Sequence, residues 1–389
     1  MTYAMEPLLP TDKNEQLADK VIELTACTSA LAGKIPKGVQ DGISNLVRSM
    51  NCYYSNLIEG HNTHPRDIER ALQDNYSRDT NRRTLQKEAR AHIELQKLIE
   101  QGETPDADPT SDEYIRWLHY EFCSRLPEDL LWVKNPDTKE KIAVIPGEYR
   151  TTHVQVGRHI PPSHNEIKKY LKRFCDAYSH ENLSRSQYPI AVAAAHHRLL
   201  WIHPFIDGNG RVTRLLSHAM LLKSGVGSNL WSVSRGLARN ADIYKAALAK
   251  ADSPRHGDLD GRGSLSTQGL FDFTLFFLET CIYQVKFMES LLQPSELLRR
   301  ITLYTEDEIA ANRLPKGSLE LLREAFLAGD VPRGAAPRIT GYQERQGRQV
   351  LSKLIEKNLL VSPGPRAPVR LGFPLDIIER WLPNLYPVN

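Results

Sequence analysis

Apolar residues recur at three- and four-residue spacing along most of the chain, which is the pattern of amphipathic helices. The stretches Leu17–Leu31, Val39–Glu59, Arg82–Glu100 and Tyr114–Leu126 carry it. It returns over Asn165–Tyr178, Pro189–Ile202, Arg211–Lys223 and Leu270–Leu292, with Pro189 well placed at a helix start. The period changes over Ile142–Ile160, where β-formers alternate with turn residues. That change predicts a short hairpin, stopped by Pro161 and Pro162. Asp106–Thr110 and Pro254–Gly269 are polar and read as loops, and Pro294–Lys316 reads as a charged connector.

From Gly317 the pattern restarts. A helix is expected at Leu319–Phe326, a weak one at Val331–Pro337, and a third from Gly341 to Lys357, capped by Thr340 and ended by Asn358. Leu359–Val361, the Pro363-Gly364-Pro365 turn and Pro368–Leu371 then predict a small hairpin. Helix-helix-helix-wing is the order of a winged helix-turn-helix domain. The expected protein is mainly α, with an N-terminal helical region at 1–110, a core at 111–293, a connector at 294–316 and a winged-helix-like domain at 317–389. No internal repeat of fixed period is visible.

Composition narrows this picture. The 389 residues suggest two to three domains at roughly 150 residues each. A chain that is 41% hydrophobic and 25% charged is globular and not wholly disordered. The 50 basic and 47 acidic residues leave a net +3, too balanced for nucleic-acid binding to follow from charge alone. The charge is uneven, however. From Lys316 onward eleven Lys/Arg face seven Asp/Glu, with Arg345, Arg348 and Lys353 on the candidate recognition helix and Arg366 and Arg370 on the wing. DNA contact through this module is therefore an open alternative to a dimerisation or docking role. No apolar run reaches the ~18–20 residues needed to cross a bilayer. The N-terminus shows no signal-peptide pattern. Five scattered cysteines without a C-x-x-C pair argue against a disulfide framework. A cytoplasmic location is expected.

Candidate chemistry concentrates in His203-Pro204-Phe205-Ile206-Asp207-Gly208-Asn209-Gly210-Arg211-Val212-Thr213-Arg214. Pro204 ends the preceding helix, and the glycines on either side of Asn209 permit positive φ. The next helix thus starts with free N–H groups on a flexible turn, an anion site by geometry. Arg211 and Arg214 fall in its first turn, where cations oppose the macrodipole by roughly 0.3–1 kcal/mol each. A bound polyphosphate would reverse that sign. Asp207 supplies one carboxylate, which suits Mg²⁺ held mainly by phosphates. His203 is the nearest group that accepts a proton near neutral pH. His196 and His197 have no ligand set around them and read as structural.

Those twelve positions match the H-P-F-x-[DE]-G-N-G-R-x-x-R motif, and the chain from about residue 40 to 293 resembles Fic-domain proteins. The resemblance implies a helical Fic fold and transfer of AMP from ATP to a Ser, Thr or Tyr hydroxyl of a protein. It implies His203 as general base, Phe205 as the core anchor and Asp207 as the Mg²⁺ ligand. Gly208, Asn209 and Gly210 would form the anion hole, with Arg211 and Arg214 on the phosphates. Ser55-Asn56-Leu57-Ile58-Glu59-Gly60 resembles the family's [ST]-x-x-x-E-[GN] inhibitory motif. There Ser55 and Glu59 share a helix face and Gly60 stops the helix. By that resemblance Glu59 would pair with Arg214 at the γ-phosphate position. Gly147, Tyr149, Val154 and Val156 lie in a stretch similar to the β-hairpin flap that docks the target. Tyr244 resembles the tyrosine near adenine, although Ile243 replaces its usual tyrosine neighbour and a core tyrosine is the alternative. The expected partners are ATP and an undefined protein target, with self-modification and a homodimer both compatible. Two other readings stand beside this one: a Fic enzyme that uses another nucleotide or removes AMP, and a DNA-binding regulator with a nucleotide-sensing Fic body.

Overall fold

The computed structural model describes residues 4–10, 14–135 and 139–387. In chain order the first elements are α1 (Asn14–Lys34), α2 (Lys37–Ile58), α3 (Pro65–Leu72), α4 (Thr80–Gln101), α5 (Asp112–Cys123), β1 (Trp132–Lys134) and β2 (Lys141–Ala143). Then come α6 (Ile167–Tyr178), α7 (Tyr188–Ile202), α8 (Asn209–Ser224), α9 (Val233–Arg239), α10 (Ala241–Ala251) and α11 (Thr267–Leu292). The last are α12 (Pro294–Ala310), α13 (Ser318–Ala328), α14 (Ala336–Thr340), α15 (Glu344–Glu356), β3 (Leu360–Val361), β4 (Arg370–Leu371) and α16 (Leu375–Trp381). The residues divide into two compact units, Met1–Ser29 with Asn51–Val285, and Ala30–Met50 with Lys286–Asn389. These do not coincide with boundaries at 110, 293 and 316.

The first unit is organised around α7. Ala191, Val192, Ala193, Ala194 and Ala195 are all fully buried, so this part of α7 is apolar on every side, as a core helix is. Its small side chains let α8 pack closely against it, and α8 also lies on α4 and α5. Side-chain caps set where α4 and α5 begin. Asp79 accepts the Arg82 N–H at 2.8 Å and Ser111 accepts the Tyr114 N–H at 3.1 Å, satisfying orphan donors of the first turn. Gly102 closes α4 with φ 72°.

The hairpin is displaced from its expected place. β1 and β2 pair antiparallel, with Trp132 opposite Ala143 and Lys134 opposite Lys141. Gly147, Tyr149, Val154 and Val156 therefore lie outside it, in an irregular segment with a single bridge, Val156 to His159. The cause is visible at Arg150. Its N–H donates to the Pro204 carbonyl at 2.9 Å, and its guanidinium donates to the carbonyls of His203, Thr152 and Pro162 at 2.8, 3.0 and 2.6 Å. A backbone held in this way does not form a strand ladder.

The second unit also departs from expectation. The stretch 294–316 is largely α12, begun by Pro294 and buried along Leu297, Ile301 and Tyr304. These positions follow helical spacing, but the flanking charges mask it. Thr340 caps nothing. Its hydroxyl donates to the Ala336 carbonyl at 2.8 Å as the last residue of α14, and Gly341 closes that helix at φ 70°. Gly347 is required inside α15, because a Cβ there would lie 2.7 Å from Pro337 Cα. β3 and β4 pair Leu360 with Leu371. α16 packs Trp381 edge-on to Tyr304 at 5.9 Å. The short helices α3, α9 and α16 fall below the length at which periodicity is readable. Arg370 is held by Asp330 and Asp41 at 2.5 and 2.6 Å, Arg348 by Glu344 at 2.6 Å and Lys353 by Glu356 at 2.7 Å. Three of the five basic side chains named for the DNA alternative are thus ion-paired within the unit.

Among the described residues no helix is long and apolar enough to cross a membrane. All five cysteines are free thiols.

Candidate active site

The chain leaves α7 at His203, which adopts φ 49° and ψ 62°. The residue before a proline is pushed out of the right-handed α region, and here it becomes a left-handed cap whose N–H still donates to Leu199. The Arg150 guanidinium sits on the adjoining carbonyls, a cation at a helix C-terminus where the macrodipole favours it. Burial, reinforced by Arg150 and His159, lowers the His203 pKa to about 4. The ring is neutral at pH 7 and free to accept a proton.

Phe205 is fully buried and stacks on His119 with ring centres 3.9 Å apart. His119 Nδ1 accepts the Gly147 N–H at 2.9 Å, which leaves the proton on Nε2 to face the Asp207 carbonyl at 3.3 Å. Burial holds this histidine neutral, with a pKa near about 4. Asn209 closes the loop from the other side. Its Oδ1 accepts the Phe205 N–H at 3.0 Å and its Nδ2 donates to the Phe205 carbonyl at 2.9 Å.

Gly208 alone of the two motif glycines has positive φ, 79°. The first intrahelical bond of α8 runs from Val212 N–H to the Gly208 carbonyl. The N–H groups of Asn209, Gly210 and Arg211 therefore stand ahead of the ladder. Gly210 is helical, and its lack of a side chain has another reason: a Cβ there would fall 2.2 Å from Glu59 Oε1. The Glu59 carboxylate is seated against the first turn of α8, where the macrodipole favours a negative charge.

Glu59 lies just past α2, where Gly60 turns the chain at φ 85°. Its Oε1 accepts from Arg214 Nη2 at 2.5 Å. Arg214 also donates from Nε to Ser55 Oγ at 2.8 Å and from Nη2 to the Ser55 carbonyl at 3.1 Å. The structure thus brings together Ser55, Glu59, Gly210 and Arg214. Burial works against the Glu59 charge, but Arg214 and Arg211 outweigh it and hold its pKa below the ordinary value. Arg211 is only 5% exposed and ion-pairs with the fully buried Glu88 of α4. Its other arm lies 3.4 Å from Asp207 Oδ1, which also accepts the Gly208 N–H at 2.6 Å. The Asp207 side chain is 47% exposed. Among the described residues no group of three or more His, Cys, Asp or Glu side chains could hold a metal ion by itself. A half-open single carboxylate fits a Mg²⁺ ion that arrives with phosphates.

Of the two readings of Tyr244, its burial fits the core tyrosine. It is buried in α10, its hydroxyl bonded to His196 at 2.7 Å, with His196 in turn bonded to Ser217 at 2.8 Å. The site also contains residues to which the sequence assigned no role: Arg150, His119, Glu88 and His61, whose Nδ1 lies 2.7 Å from Glu88 Oε2. Arg150 follows Tyr149 directly in the stretch that resembles the flap. The other three are separated from their partners by long stretches of chain and carry no local signal.

Residues 109–221 match the model of the Fic/DOC family. Two relatives named protein adenylyltransferase Fic, from Drosophila grimshawi and Drosophila willistoni, are 44% and 45% identical over 80 residues. Those residues make up 20% of this chain and 16% of each relative, so the chain matches only a small part of their length. Two solved structures share the fold. A Fic family protein from Desulfovibrio desulfuricans superposes with TM-score 0.50 at 16% identity, over 90% of this chain and 95% of that one. A Fic domain containing signaling protein from Bacteroides thetaiotaomicron gives 0.51 at 18% identity, over 69% and 95%. The mainly helical fold around the loop from His203 to Arg214 is shared with these Fic proteins, and the match to the Fic/DOC model spans residues 109–221.

Proposed function

We propose that this protein is a protein adenylyltransferase that moves AMP from ATP to a Ser, Thr or Tyr hydroxyl of a protein, and that Glu59 restrains it. The observation that carries this reading is the Glu59 carboxylate on Arg214 and against Gly210. An anion from the chain itself sits at a helix N-terminus that a triphosphate would otherwise find with free N–H donors and two arginines. The relatives named protein adenylyltransferase support the reaction class.

In the proposed reaction the target hydroxyl oxygen attacks the α-phosphorus of ATP. The bond to the β-phosphate oxygen breaks and pyrophosphate leaves. His203 takes the hydroxyl proton; burial keeps its imidazole neutral and so able to accept one. The N–H groups at the start of α8, with Arg211 and Arg214, neutralise and align the phosphates, which is most of what such a transfer requires. Mg²⁺ held by Asp207 would supply further charge neutralisation. Arg150 and Asn209 keep the loop in one conformation.

The test is intact-mass spectrometry of the Glu59→Gly protein after incubation with ATP and Mg²⁺. A gain of one or more AMP groups over the wild type is expected, abolished by an added His203→Ala. No gain over the wild type, with His203→Ala also without effect, would overturn the reading. Parallel incubations with UTP, GTP and CDP-choline separate it from use of another nucleotide.

A further inference from the structure

The turn that carries Glu59 makes a second connection to the phosphate-binding arginines. Two residues beyond Glu59, His61 Nδ1 lies 2.7 Å from one oxygen of Glu88, whose other oxygen pairs with Arg211. The carboxylate of Glu88 is fully buried, whereas the His61 ring is 33% exposed. This asymmetry separates their roles. Withdrawing Arg211 from Glu88 would leave an uncompensated buried charge, so Glu88 keeps Arg211 in place. Withdrawing His61 moves an already partly exposed ring into water and leaves Glu88 still paired with Arg211. His61 is therefore the contact that can be released.

We propose that His61 is a second latch of the inhibitory turn, acting through Glu88, so that restraint by Glu59 is strongest while His61 is protonated. The inference rests on the proposed restraint by Glu59. The charged groups facing the ring are Glu88 from α4, Glu59 from its own turn and Arg211 from α8. The hydrogen bond to Glu88 leads, burial opposes it, and the balance raises the His61 pKa above the ordinary 6.5. Below that raised value the bond to Glu88 is charge-assisted. As pH rises through it, the charge is lost and the bond weakens. The turn then lifts more readily, and Glu59 leaves Arg214 more often.

The experiment measures the rate of self-modification with labelled ATP across the histidine titration range. Wild type, Glu59→Gly, His61→Ala, His61→Gln and the double variant Glu59→Gly/His61→Ala are compared. In the wild-type background His61→Ala is expected to raise the rate about 3- to 10-fold on the acid side, as for loss of one charge-assisted bond at a partly exposed site. His61→Gln keeps a hydrogen bond without a titrating charge, so it removes the pH response while retaining part of the restraint. In the Glu59→Gly background His61→Ala no longer raises the rate, because no inhibitory carboxylate remains to be seated. An active Glu59→Gly protein beside a His61→Ala protein no faster than wild type overturns the latch. So does a His61→Ala that slows both backgrounds alike, which marks a merely structural role. If Glu59→Gly itself gains nothing, the restraint is absent and this inference falls with it, a failure visible in a protein whose His61 is untouched.

Discussion

Removing only the charge of Glu59 tests whether this carboxylate and a nucleotide compete for Arg214. In Glu59→Gln the side chain keeps nearly the same shape, so its approach to Gly210 changes little. Arg214 is 2% exposed and Glu59 30% exposed at side-chain level. A hydrogen bond to a charged group contributes about 1.5–3 kcal/mol when well buried, and the exposure of Glu59 reduces this to about 1–2 kcal/mol. ATP must displace that interaction to reach the arginine. With tenfold in affinity per 1.4 kcal/mol, the variant should bind a non-hydrolysable ATP analogue about 5- to 30-fold more tightly. Titration calorimetry in a His203→Ala background measures this without turnover. The same variant without nucleotide should unfold at a lower temperature, since Arg214 keeps a buried charge with a weaker partner. Equal affinity for the analogue in both proteins would refute the competition, whatever happens to stability.

Three further outcomes are expected. The rate of the Glu59→Gly protein should stay flat on lowering pH from 7 and fall only towards about pH 4, because burial keeps His203 neutral down to there; a half-maximal point near the ordinary histidine value would contradict it. Stability of the first unit should decline as pH drops from the ordinary histidine value of 6.5 towards about 4, since His119 and His203 are protonated in the unfolded chain before the folded one; each contributes a slope of up to about 1.4 kcal/mol per pH unit in that window, read from melting temperature against pH. Asn209→Ala strands the buried Phe205 N–H and carbonyl and should cost about 2–4 kcal/mol in denaturant unfolding, whereas a loss under 0.5 kcal/mol would show the loop held by other contacts.

The sequence by itself determined the helical character, because a 3.6-residue repeat of apolar positions has few other solutions. It also made the segment from His203 to Arg214 stand out as the candidate site, because those residue types are adjacent in the chain. Local readings failed where a distant group decided the outcome. The flap residues were read as a strand, yet Arg150 ties their segment to the carbonyls of His203 and Pro204. For Tyr244 the sequence leaves an adenine-side and a core position both open, and the bond of its hydroxyl to His196, 48 residues away, is what the fold adds. Gly210 read as a residue needing backbone freedom, but in three dimensions its hydrogen leaves room for Glu59 from another helix. Glu88 and His61 were silent, since a buried ion pair between α4 and α8 leaves no trace in periodicity. The pair of Glu59 with Arg214 was implied by the motif resemblance, but the tertiary structure alone decided that Arg211 meets Glu88. That choice depends on burial and on helix ends converging from remote parts of the chain, and net charge and local spacing record neither.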